Sequence, residues 1–242
     1  MDLVRTAYGV GVDRGGAGVL EVRHVIGIGR NYAAHAHEQG ADVPTRPMVF
    51  TKNPASACLH GDDIVIPPVC GDADTEGNGG QVDFEAELAV VVGEPIRDAS
   101  EEEALAAVLG VSCGNDVSAR WWQKKGSGGQ FCRGKSFDTF CPLGPRVVPV
   151  QQAGDLGNLR VVCRVNGEVM QDGNTSQMIF PVGRLLSDLS RGTTLVPGTV
   201  VLTGTPEGVG MARDPQVWLK DGDVVEVEVE GVGVLRNSVV QG

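Results

Sequence analysis

Two glutamates two residues apart, Glu85 and Glu87, sit in the segment Val82-Asp-Phe-Glu-Ala-Glu-Leu-Ala-Val-Val-Val-Gly, which begins polar and ends apolar. In an extended chain both side chains point to one face. Like charges placed so repel unless water or a cation screens them. Standing alone, Glu-x-Glu fits an exposed strand face better than an ion site. A third carboxylate, Asp116, lies in Gly114-Asn-Asp-Val-Ser-Ala-Arg120, where its ordinary role would be a helix N-cap. Three carboxylates suit a hard divalent cation such as Mg²⁺, which takes few protein oxygens and leaves positions for water and substrate. Spacing does not show whether Asp116 meets the two glutamates. His35 and Glu38 are three apart and share a face if their segment forms a helical turn. The carboxylate would then orient the imidazole and raise its basicity. A His-x-x-Glu without other support is more often a surface pair.

The elements that must position these groups read as mostly strands. The 35 glycines and 13 prolines punctuate short β-branched segments at Leu88 to Val92, Val161 to Val165, Thr199 to Leu202 and Val224 to Val229. Asn166-Gly167 between two such segments predicts a hairpin with a type I′ turn. From Val224 to Glu230 valine and glutamate alternate, which predicts a strand with one wet face. Helices are few. Ser100 and Glu103 form a capping-box pattern, and the apolar residues that follow predict a helix running to Gly110. A second helix is predicted over Val182 to Leu189, with Leu185, Leu186 and Leu189 on one face. Gly71 to Gly80 reads as a surface loop.

Composition excludes several functions. At 242 residues and a hydrophobic content of 41%, the chain can bury a sizeable core as one domain. A net charge of -11 without a basic run argues against nucleic acid or anionic lipid as partners. The six cysteines are widely spaced with no CxxC, which predicts free thiols in a reducing cytoplasm. No signal-like N-terminus or membrane-length apolar run is evident, so the expectation is a cytoplasmic protein.

Several segments together resemble the catalytic domain of the fumarylacetoacetate hydrolase family. They are Ile28-Gly-Arg-Asn-Tyr-Ala-Ala-His-Ala-His-Glu38, Asp83-Phe-Glu-Ala-Glu87, Asn115-Asp-Val-Ser-Ala-Arg120, Gly134-Lys-Ser-Phe-Asp-Thr-Phe-Cys-Pro142, Gln171-Asp-Gly-Asn-Thr-Ser-Gln-Met-Ile-Phe180 and Leu202-Thr-Gly-Thr-Pro-Glu-Gly-Val-Gly210. The resemblance implies a mainly β, α+β fold of the mixed β-roll type, a homodimer, and metal ligation by Glu85, Glu87 and Asp116, with Mg²⁺ or Mn²⁺ as the ion. Residues 1–24 would be a short lead-in and 25–242 a single catalytic domain. One departure is Ala34, where family members often have an aspartate before the motif histidine. His37 has no assigned role and reads as an exposed loop residue.

The resemblance further implies a small 2-oxo acid as substrate. His35, oriented by Glu38, would activate water, and a bound metal would stabilise negative charge on the departing fragment of an acylpyruvate such as fumarylpyruvate. The products would be a carboxylic acid and pyruvate. Lys135 joins His35 and Glu38 as a catalytic candidate, and Arg30, Arg120, Gln123 and Thr205 are candidates for binding the substrate. The same enolate stabilisation serves decarboxylation or keto-enol exchange of oxaloacetate, so a lyase or isomerase is the alternative. A metabolite-binding protein without catalysis is the third reading.

Overall fold

The computed structural model describes residues 1–71 and 80–242, so the interior of the loop expected between Gly71 and Gly80 lies outside the described residues. Strands β1 (Asp2–Thr6), β2 (Gly9–Asp13) and β3 (Val19–Glu21) form an antiparallel meander. After it come β4 (His24–Gly29), helix α1 (Ala33–Glu38), β5 (Met48–Lys52), β6 (Ala57–Leu59) and β7 (Ile64–Ile66). The middle of the chain carries β8 (Val82–Asp83), β9 (Ala86–Val92), α2 (Glu101–Ala106), β10 (Val108–Asn115) and β11 (Ser118–Ala119). Helices α3 (Arg120–Lys124) and α4 (Phe131–Lys135) lead to β12 (Cys141–Val148) and α5 (Val150–Ala153). The last part holds the hairpin β13 (Arg160–Val165) and β14 (Glu168–Asn174), then α6 (Val182–Ser190), β15 (Thr199–Leu202), β16 (Val224–Val229) and β17 (Gly233–Gln241).

Among the described residues, ten strands make one mixed sheet in the order β3-β2-β1-β12-β10-β9-β15-β4-β5, with β6 added beside β12. A second sheet runs β14-β13-β16-β17-β7, and β8 pairs with β11. Parallel pairs (β15 with β4, β12 with β6, β17 with β7) among antiparallel ones give the mixed β-roll. The first residues of the chain, expected as a lead-in, are strands of the large sheet.

Strand β9 shows why the sheet curls. Leu88, Val90 and Val92 face one core, shared with Val161 and Val227 of the second sheet. Ala89 and Val91 face another, shared with Val10 and Val12 of β2 and Val25 of β4. Strands far apart in the sheet order thus meet on one inner face. Burial on both faces explains the unbroken apolar run of β9.

The Asn166-Gly167 turn has φ of 53° and 82°, as a type I′ turn requires. In β16 the valines at 225, 227 and 229 are buried while the alternate residues are less so. The predicted capping box is present at Ser100 and Glu103. Helix α2 nevertheless stops at Ala106, four residues before Gly110. Residues from Val108 onward pair with β9 instead, so the ladder ends the helix where local propensity would have extended it. Among the described residues no cysteine is in a disulfide. Among the described residues no helix is long and apolar enough to cross a membrane.

Candidate metal and catalytic site

Sheet directions gather the candidate residues. Strands β4, β15 and β10 end, and β9 begins, at one edge of the large sheet, because β4 and β15 run parallel to each other and β15 and β10 both run antiparallel to β9. Glu87 is the second residue of β9, Glu85 lies just ahead of the strand, and Asp116 follows β10. The Asp116 backbone N–H donates to the Glu85 carbonyl (2.9 Å). The Asn115 side chain accepts from the Glu85 N–H (3.0 Å). Asp116 is fully buried and is not a helix cap; α3 begins after Ala119. Glu85, Glu87 and Asp116 each offer an oxygen within 4.8 Å of the other two.

Three buried cations surround these acids. Lys135 Nζ donates to Glu85 (2.7 Å), Asp116 (2.6 Å) and the Ser118 hydroxyl (2.7 Å). All three ammonium protons are therefore spent inside the protein, and Lys135 offers its charge to a substrate without a spare donor. Burial by itself would lower the Lys135 pKa, but Asp116 and Glu85 reverse that and raise it. Arg120 contacts Asp83 (2.8 Å) and Glu85 (2.7 Å). Lys52 pairs with Asp116 and donates to the Phe140 carbonyl (2.7 Å). Burial disfavours charge on Glu85, yet Arg120 and Lys135 outweigh it and hold the carboxyl low. Among the described residues Glu87 keeps only a backbone donor, Gly204 N–H at 2.6 Å. Burial, then repulsion from Asp116 and Glu85, pushes its pKa well above the usual carboxylate range.

Four buried carboxylates thus face three buried cations, and the unmatched charge falls on Glu87. An all-oxygen donor set with surplus negative charge is what a hard divalent cation requires, so these residues fit Mg²⁺ or Mn²⁺. Glu85, Glu87 and Asp116 would hold it.

His35 and Glu38 lie one turn apart on α1, with Nδ1 2.6 Å from Glu38 Oε1. The second Glu38 oxygen accepts from Gly208 N–H (2.8 Å). A carboxylate at Nδ1 makes that nitrogen the donor and leaves Nε2 as acceptor, where the Gln39 amide donates at 2.9 Å. His35 is buried, while Ala34 and His37 are exposed on the same helix, His37 being helical where a loop was expected. His35, Glu85, Glu87, Arg30, Arg120, Gln123, Lys135 and Thr205 line one small cavity. The Gln123 carbonyl accepts from Arg120 (2.9 Å), which turns its N–H₂ into the free donor. Thr205 is different from expectation. Its hydroxyl donates to the Ala86 carbonyl (2.9 Å) and accepts from Gln171 (2.7 Å), so it ties segments together and has no proton left for a substrate.

Sequence reasoning passed over Lys52, Gln39, Asp83 and Phe50. Met48, Phe50 and Lys52 alternate on the inward side of β5, and a lysine ending such a row is the signal. Gln39 is four residues after His35. Asp83 extends the same-face series of Glu85 and Glu87, and accepts from Arg120, Gly210 and Met211. The Phe50 ring covers Gly27, where a Cβ would come within 2.2 Å of it, and packs at a 57° tilt against Phe131, 5.6 Å between centroids, beside the Lys135 ammonium.

The family profile described as "Fumarylacetoacetate (FAA) hydrolase C-terminal" matches residues 24–240. The chain belongs to the fumarylacetoacetate hydrolase family. Within this family it is 45% identical over 216 residues to the human mitochondrial oxaloacetate tautomerase FAHD2A, covering 89% of this chain and 66% of that relative. The chain therefore spans just under two thirds of the length of that relative. Among solved structures it resembles fumarylacetoacetate hydrolase from Exiguobacterium antarcticum (TM-score 0.80, 42% identity, 93% of this chain and 79% of that one). It also resembles 5-carboxymethyl-2-hydroxymuconate delta-isomerase from Mycobacterium smegmatis (TM-score 0.79, 37% identity, 100% and 93%). Members of the fumarylacetoacetate hydrolase family thus include both a hydrolase and isomerases by name.

Proposed function

We propose that this protein is a metal-dependent enzyme that interconverts the keto and enol forms of a short 2-oxo acid of the oxaloacetate type. The observation that carries this reading is a histidine with an acceptor Nε2 lining the same cavity as Glu85 and Glu87, two of the three clustered carboxylates. A divalent cation, when bound, supplies a Lewis acid that polarises a carbonyl beside a carboxylate. The remaining work falls to the chain. Gln39 gives way at His35 Nε2, which takes a proton from C3 of the acid and returns it to the 2-oxo oxygen. The C3–H bond breaks and an O–H bond forms, with no other atom gained or lost. Glu38 holds the imidazole in the needed tautomer and stabilises its charged form. Lys135 adds fixed positive charge, and the Gln123 amide donates to the substrate carboxylate.

Hydrolysis of an acylpyruvate is the second reading, favoured by the same Glu38-oriented histidine, which is equally fit to activate water. The tautomerase stands first because of the 45% identity to an enzyme of that name. A cytoplasmic homodimer belongs to this reading, and sedimentation at micromolar concentration tests the dimer. The deciding experiment incubates the Mg²⁺-loaded protein with oxaloacetate and with fumarylpyruvate in parallel, following enol decay and product formation. Faster enol–keto exchange without cleavage supports the tautomerase. Pyruvate plus a carboxylic acid puts hydrolysis first, and no reaction with either removes both readings. Glu85→Gln, Glu87→Gln and Asp116→Asn should each weaken metal binding; three variants that bind metal normally would refute the ligand set.

A further inference from the structure

The cations nearest the metal ligands are already committed. Lys135, Arg120 and Lys52 each pair with buried carboxylates, so none is free to meet a second anionic group on a substrate. Near the site, Arg30 and Lys124 make no ion pair among the described residues. Arg30 lines the cavity, and among the described residues its side chain makes no ion pair; its Nε donates to the Gln39 carbonyl at a long 3.4 Å. Its backbone φ of 55° is a left-handed conformation uncommon for a long side chain, and it turns the chain between β4 and α1. Lys124 follows Gln123 and lies one helical turn beyond Arg120 on α3, hence on the same face.

Lys124 is exposed, yet its ammonium rests 3.0 Å from Met211 Sδ, a weak acceptor, and pairs with no carboxylate among the described residues. Partial burial of that head group, followed by repulsion from Arg120 and Arg30, lowers its pKa. The acid nearby, Asp83, is spent on Arg120 and two backbone N–H groups. Lys124 adjoins Gln123, which lines the cavity with Arg30, and lies near enough to Arg30 for their charges to repel. In a protein of net charge -11, two such cations without acidic partners among the described residues form a local positive field.

We infer that Lys124, together with Arg30, receives the second carboxylate of a dicarboxylic 2-oxo acid and so selects diacids over monoacids. This rests on the 2-oxo acid reading above. Lys124 is a specificity residue at the rim, remote from the proton transfer, and Arg30 is the inner of the two.

The test compares oxaloacetate with 2-oxobutyrate, which carries a methyl group where oxaloacetate carries its second carboxylate, and uses oxalate as a probe of the metal site alone. Calorimetric titration of the Mg²⁺-loaded protein gives Kd for each. Lys124→Met should raise Kd for oxaloacetate by ~5- to 10-fold, the effect of one charge-assisted hydrogen bond at a partly exposed site. Kd for 2-oxobutyrate and oxalate should stay unchanged, and Lys124→Arg should restore oxaloacetate binding. An unchanged oxaloacetate Kd, or equal weakening for all three ligands, overturns the inference while leaving the 2-oxo acid reading intact. Wild-type protein that binds oxalate but neither 2-oxo acid overturns that reading, and the inference with it.

Discussion

Lys135 Nζ lies 2.6 Å from Asp116 Oδ2, with both side chains sealed from solvent. The ammonium is a built-in counterion for the acids that would hold a metal. Replacing it by methionine leaves those acids facing one another, and loss of one partner from a buried pair costs roughly 3–5 kcal/mol. Lys135→Met should therefore lower Tm in chelator, and Mg²⁺ or Mn²⁺ should raise Tm more in the variant than in wild type. Equal metal-induced shifts in the two proteins would show that Lys135 does not balance the site.

Removal of the base should separate binding from chemistry. His35→Ala should spare the metal-induced rise in Tm and oxalate affinity, yet slow enol–keto exchange by ~10²- to 10⁴-fold. Glu38→Gln acts through His35, so the double variant should lose little more than the worse single one. Near-normal kcat in His35→Ala would rule out the dyad as the base.

Gly204 has φ of 101°, and a Cβ there would come within 2.6 Å of Asn31 Cβ. Its N–H is also the donor to Glu87. Gly204→Ala should destabilise the fold by about 1–3 kcal/mol and weaken metal affinity through Glu87. Denaturant midpoints and a metal titration on the same variant check both effects. Unaltered metal affinity in a destabilised variant would mean that Glu87 is positioned by something else.

Burial pushes the thiols of Cys113 and Cys141 up to about 12. An unfolded thiol titrates near ~8.5, so the folded state holds these protons while the unfolded state releases them. Their contribution to stability is complete below the unfolded pKa and falls as pH rises from there towards the folded value, by roughly 1 kcal/mol per pH unit for each thiol. Urea midpoints measured from pH 8 to 11 should drop, and Cys141→Ala should flatten the slope. The exposed Cys132 should be alkylated in the native protein while these two react on unfolding.

The sequence made the acids and the dyad legible because their spacing is local. Two residues along an extended chain and three along a helix fix a shared face before any tertiary contact exists. It did not reveal the cations that balance them. Lys52 and Asp116 are 64 residues apart, and Lys135 and Glu85 are 50 apart, so only the assembled sheet brings each pair together. The early end of α2 has the same origin: the start is written in a local capping box, the end in pairing with β9. Thr205 shows the limit from the other side. Its place in the cavity was readable from the motif, but the commitment of its hydroxyl to Ala86 depends on how neighbouring strands meet.

The Asn31 side chain makes three hydrogen bonds, two with the Phe180 backbone and one with the Thr203 carbonyl, across 149 and 172 residues of chain. These bonds, with the Gly204 contact to Glu87, join the earliest and latest parts of the site. On a ribosome, where the N-terminal part of a chain emerges first, the carboxylates appear long before the segment that closes over them. The cavity can form only after Thr203 and Gly204 have emerged, and a chain stalled earlier exposes its acids to water as ordinary polar side chains.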